Sequence, residues 1–213
     1  MEAIIYDHLK NKNTKGLIAE LIKDPSLLTF VDSRGASLLM LSFYFKNQEL
    51  SDYILSQRKP IDIYEAVIAN DFVATKKFLK ANKQFLNQHS KDGFTPLGFA
   101  AFFSRAQIAE YLINEGADVN IASNNDFKVA PIHSAVAAKS LLITQLLLDK
   151  GADPNVQQQS GVTPLHAAAH NNSIDIVKAL LKAGANKDLK TNDGKSAVDF
   201  ANEIDAKEIA ALL

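Results

Sequence analysis

The 213-residue sequence contains no cysteine, which excludes disulfides, thiolate zinc sites and thiol catalysis. Net charge is nearly absent too, with 23 Lys plus Arg against 24 Asp plus Glu. No Lys/Arg-rich stretch stands out, so nothing supplies the field that gripping a polyanion requires, and nucleic acid is not expected as a partner. Long hydrophobic runs are missing. The greasiest region, Leu141 to Leu148, is broken by Thr144 and Gln145 and falls far short of the roughly 20 residues of a bilayer span, so no membrane is expected either. Met1 to His8 lack the basic end and apolar run of a secretory signal, which makes the cytoplasm the expected compartment. What remains, 47% apolar residues with nine Gly and six Pro, is the composition of one ordinary folded domain with a sizeable core.

Self-similarity is the main positive signal. Gly161-Val162-Thr163-Pro164-Leu165-His166-Ala167-Ala168-Ala169 runs into Ile174, Ile176, Val177, Leu180, Leu181 and then Gly184-Ala185-Asn186. One period earlier stand Ala130-Pro131-Ile132-His133-Ser134-Ala135 and Gly151-Ala152-Asp153-Pro154-Asn155; earlier still, Thr95-Pro96-Leu97 and Gly116-Ala117-Asp118-Val119-Asn120. With the Pro164 slot as marker, weaker copies put Ile5, Leu38, Asp62 and Ala197 in the same place, and seven units cover the chain.

Each unit has a physical logic. Thr163 can cap a helix by accepting from a free backbone N–H, and Pro164 at the first helical position has no N–H to waste. A short first helix follows, then a second whose apolar residues, such as Ile174, Val177, Leu180 and Leu181, form one stripe. Gly116, Gly151 and Gly184 stand where a left-handed residue ends the second helix. Gly35, Gly93, Gly161 and Gly194 stand two residues before the cap, where a tight turn needs positive φ. Little glycine is left for a phosphate loop. Two steps are irregular. From Ser37 to Ile61, the Thr slot of adjacent units, is about nine residues short, and helical spacing survives to Leu55, so a plain loop around Arg58-Lys59-Pro60 should replace the turn there. Two extra residues within Ile121 to Val129 should lengthen another turn.

These segments resemble the ankyrin repeat, whose period is about 33 residues. The likeness is strong from Lys91 to Leu213 and weaker from Met1 to Gln88. It implies an all-α solenoid of about seven helix pairs with short β-turn fingers, forming a single domain over 1–213. Degenerate repeats and an N-terminal cap would occupy 1–88, well-matched repeats 89–189, and a C-terminal capping repeat 190–213. The resemblance further implies a concave face lined by first helices and fingertips, and histidines such as His133 and His166 that tie neighbouring repeats together.

A solenoid leaves an elongated surface free to vary, and its usual work is holding another protein. The expected function is therefore non-catalytic protein binding by a monomer, with no cofactor. Aromatics mark the place. Tyr44-Phe45 and Phe102-Phe103 share two consecutive positions late in the first helix, where other units carry His170-Asn171 and Ala137-Ala138; Phe94 falls at a fingertip and Phe127 in the next finger. These rings are the expected anchors of a partner site, with Lys91, Asp92, Arg105 and Asp126 as its polar rim. The alternatives are a metal protein or hydrolase built on His166 and His170, four apart on a helix, and a nucleic-acid binder.

Overall fold

The computed structural model describes residues 1–213. Helices follow one another in seven pairs: α1 (Glu2–Lys10) with α2 (Thr14–Lys23), α3 (Leu38–Tyr44) with α4 (Gln48–Gln57), α5 (Ile63–Ile68) with α6 (Phe72–Ala81), α7 (Pro96–Phe102) with α8 (Ala106–Asn114), α9 (Pro131–Ala137) with α10 (Leu141–Asp149), α11 (Pro164–His170) with α12 (Ile174–Lys182), and α13 (Ala197–Glu203) with α14 (Lys207–Ala210). There is no sheet, only an isolated bridge between Val31 and Ser37. One continuous apolar core runs from Ile5 to Ile209. From α3 onward first helices stack on one another more closely than second helices do, so that part of the stack curves toward the first helices.

Local chemistry explains the helix starts. The side chains of Ser37, Thr95 and Thr163 accept from the N–H of Met40, Gly98 and His166 at 3.2, 3.1 and 3.4 Å, and prolines open α7, α9 and α11. Between the two helices of every unit one residue other than glycine is left-handed: Lys12, Lys46, Asn70, Ser104, Lys139, Asn172 and Asp205, with φ between 53° and 59°. Counted from these turns, the slot of Pro164 falls on Ile4 rather than Ile5 in unit 1, and α1 begins even earlier, at Glu2. In unit 3 the cap is Asp62, not Ile61, because its carboxylate accepts from Glu65 N–H at 2.8 Å, and α5 is the shortest of the first helices.

Where α8, α10 and α12 lead into Gly116, Gly151 and Gly184, α2 and α6 end differently. Asp24 and Asn82 turn extended and accept from Ser26 and Gln84 N–H, opening short 3-10 turns at Pro25–Thr29 and Lys83–Leu86. An Asx-type cap here does the work of glycine. The α4–α5 connection has no hairpin: α4 ends at Gln57 and a plain loop leads to Asp62.

Candidate functional site

The site is built from fingers. Four of them close with a bond from one N–H to the carbonyl four residues on: Asp32 to Ala36, Ser90 to Phe94, Gln158 to Val162 and Thr191 to Lys195, at 2.9–3.1 Å. In the lengthened finger the bond spans six residues, Ser123 N–H to Val129 O at 2.9 Å, and Lys128 takes the positive φ that Gly93 or Gly161 supplies elsewhere. Neighbouring fingers are stitched together by Asn124 N–H to Gly93 O, Gln159 N–H to Phe127 O and Asn192 N–H to Ser160 O, at 3.0–3.2 Å. Unit 3 contributes no finger, so the 32–36 finger meets the 90–94 finger directly. Gly35 lies so close to the Lys91 side chain that a Cβ would collide with it.

The same omission shapes the face above. Fingers 32–36, 90–94 and 123–129, with the side of α3, enclose an open hollow of about 630 Å³. Tyr44, Phe45, Phe94 and Phe127 give it aromatic walls; Arg34, Lys91, Asp92 and Asp126 supply its charges. Phe127 is 67% exposed and Phe45 37%. Tyr44 reaches from α3 to the 90–94 finger and donates its hydroxyl to Asp92 Oδ2 at 2.7 Å, while Ser90 donates to Asp92 Oδ1 at 2.5 Å. Burial, then the Asp92 charge, holds the Tyr44 phenol protonated far above its ordinary range. On the other flank Arg34 lies over the Tyr6 ring and donates to its hydroxyl at 2.5 Å; Tyr6 in turn donates to Asp32 at 2.7 Å. Burial pushes the Asp32 carboxyl up, but hydrogen bonds from Tyr6 and from the Ala36 and Arg34 N–H groups outweigh it and leave the pKa lowered.

Seven of the ten residues singled out in the sequence line this hollow: Tyr44, Phe45, Lys91, Asp92, Phe94, Asp126 and Phe127. Phe102, 44% exposed, adjoins it beside Tyr44, Phe94 and Phe99. The other two are placed elsewhere. Phe103 is half-buried, its ring centroid 5.0 Å from Phe102, 5.7 Å from Tyr44, 5.9 Å from Phe43 and 6.4 Å from Phe99. It fills space above the short α5, where Ile68 and Ala69 stand in place of the paired rings. Arg105 is not on the rim. It sits beyond the opposite end of α7, over Phe43 and Phe103, and donates to Ile68 O at 2.7 and 3.0 Å, satisfying the end of α5. Sequence reading passed over Arg34, although it holds the same finger position as Asp92.

These placements separate anchor from filler. Phe103→Ala should cost about 2–3 kcal/mol, since it empties a packed position, whereas Phe127→Ala should stay within about 0.5 kcal/mol of the parent. Urea unfolding checks both, and equal losses would contradict the assignment.

His166 and His170 do not form a metal pair. His166 Nδ1 accepts from Thr163 N–H at 3.1 Å and Nε2 faces Lys195 O at 3.1 Å, so the lone pair is committed within the fold. His133 repeats this with Ala130 N–H at 3.3 Å and Val162 O at 3.1 Å. No group of three His, Asp or Glu residues is arranged to hold a metal ion.

The family model for ankyrin repeats matches residues 63–158 and 132–213. A putative ankyrin repeat protein of Acanthamoeba polyphaga mimivirus is 29% identical over 147 residues, 65% of this chain and 19% of that protein. One of Rickettsia felis is 40% identical over 96 residues, 45% of this chain and 39% of its own. The probable 26S proteasome regulatory subunit p28 of Saccharomyces cerevisiae is 29% identical over 153 residues, 65% of this chain and 66% of its own. The chain thus spans less than half the length of the first two relatives.

Proposed function

Because the chain belongs to the ankyrin-repeat family, we propose that it is a non-catalytic module that holds another protein on the concave face of its solenoid. One observation carries this reading: the hollow between α3 and three fingers is open and walled by aromatic rings, two of them exposed. Such rings offer rigid apolar area at little entropic cost, and anchors of this kind are often worth about 2 kcal/mol each, roughly thirtyfold in affinity. Mixed charge at the rim supports a protein rather than a phosphate backbone as partner. No helix is long and apolar enough to cross a membrane. The proposal extends to residues 1–213 acting as one monomeric domain in the cytoplasm.

Cross-linking in a native extract tests it. A Phe127→Ser variant should lose most of the proteins that the parent captures, at an unchanged melting temperature. Val73→Ser on α6, 77% exposed on the opposite side, should keep them. The reverse pattern would place the partner on the convex side.

A further inference from the structure

Resting on that reading, we infer that the hollow takes an extended peptide segment in which a carboxylate side chain stands beside a large apolar one, the carboxylate lying at the Lys91–Arg34 end. The order of the fingers gives the direction. Arg34 is on the 32–36 finger, Lys91 on the 90–94 finger that touches it, and Asp126 with Phe127 on the 123–129 finger beyond. The exposed Arg34 and Lys91 therefore stand at one end and Asp126 at the other, with the Asp92 carboxylate between them.

The charges are not equally available. The Asp92 carboxylate is occupied by Tyr44 and Ser90. Asp32, beneath Arg34, is buried and saturated by Tyr6, Arg34 and two turn N–H groups. The Lys91 ammonium is exposed and pairs with no carboxylate of the protein. The Arg34 side chain is 72% exposed, but its Nε is given to Asp32 and one Nη to Tyr6, which leaves the other Nη free. Lys91 is thus the cation at that end without an ionic partner, Arg34 resting on Asp32 and the Glu2 carboxylate being held by Ser33, and at the other end Asp126 disfavours a second carboxylate. Between them Phe45 and Phe127 leave apolar walls uncovered. The exposed Asn124 side chain on the floor, with no hydrogen-bond partner among the side-chain bonds of its finger, presents a donor and an acceptor of the kind a peptide group needs.

Selection from a random peptide library on the full chain, in parallel on Lys91→Glu and Phe127→Ser variants of parental melting temperature, tests this. The parent should enrich Asp or Glu adjacent to Leu, Ile, Phe or Trp, and those peptides, synthesised and labelled, should bind Lys91→Glu about tenfold more weakly by fluorescence anisotropy. Lys91→Glu should itself enrich Lys or Arg at that place. Peptides that depend on Phe127 yet show no acidic preference would overturn the carboxylate inference and leave the concave reading standing. Absence of enrichment, or peptides indifferent to Phe127→Ser, would overturn both.

Discussion

Replacing Glu65 by Ala should cost about 3–5 kcal/mol of folding stability, because it strands a guanidinium inside the protein. Arg58 and Glu65 form a two-pronged pair at 2.6 and 2.8 Å, with the Glu65 side chain fully buried and that of Arg58 12% exposed. Their other bonds show what the pair replaces. Glu65 lies three residues after its cap, the position of His133 and His166, and like them it accepts an upstream N–H, here from Ile61 at 2.9 Å. A histidine in that slot also reaches the next finger, whereas a carboxylate has no proton to donate. Arg58 supplies the donors, reaching back to Leu28 O at 2.9 Å and to Lys59 O at 3.1 Å. The pair thus fastens the fingerless unit to the repeat before it. Removing both charges, as Arg58→Met with Glu65→Leu, should recover much of the loss, since apolar residues of similar volume can substitute for a buried ion pair. Urea unfolding followed by circular dichroism reads both; a Glu65→Ala loss below about 1 kcal/mol would show the pair to be dispensable.

Unit 3 also marks where sequence reasoning stopped. Repeat, caps and helix ends were legible because each rests on a short-range rule: Thr163 before Pro164, Gly184 after a helix, two more residues between Asn120 and Ala130. All seven glycines assigned to left-handed slots have positive φ. The missing hairpin was legible as a length. Its consequence was not, because length does not say which neighbours close over the gap. Phe102 and Phe103 are adjacent, and only the recess over α5 decides that the second turns inward while the first stays out. Arg105 reads as a surface charge until Ile68 O is seen beneath it. Asp62 displaced Ile61 as cap by a one-residue shift that periodicity does not resolve, and Arg34 went unnoticed because its finger belongs to a degenerate unit.

Acid should loosen the solenoid through His133. Its imidazole is 4% exposed, and burial lowers its pKa to about 4, against roughly 6.5 in an unfolded chain. Above about pH 6.5 the ring is neutral in both states and its contribution is fully present. As pH falls below that, the unfolded chain takes up a proton that the folded chain refuses, and stability is lost until the folded pKa is reached. Between about pH 7.5 and pH 4.5 the loss from this one group is on the order of 2.5 kcal/mol. His166, also lowered by burial, acts in the same direction. Gln at position 133 keeps an acceptor for Ala130 N–H and a donor for Val162 O but does not titrate, so His133→Gln should flatten the pH dependence by about that amount. Urea unfolding of parent and variant at the two pH values gives the comparison. Parallel pH profiles would mean that His133 is protonated as readily in the folded chain as in the unfolded one, and that the bond from Ala130 N–H to Nδ1 is not needed to keep the ring neutral.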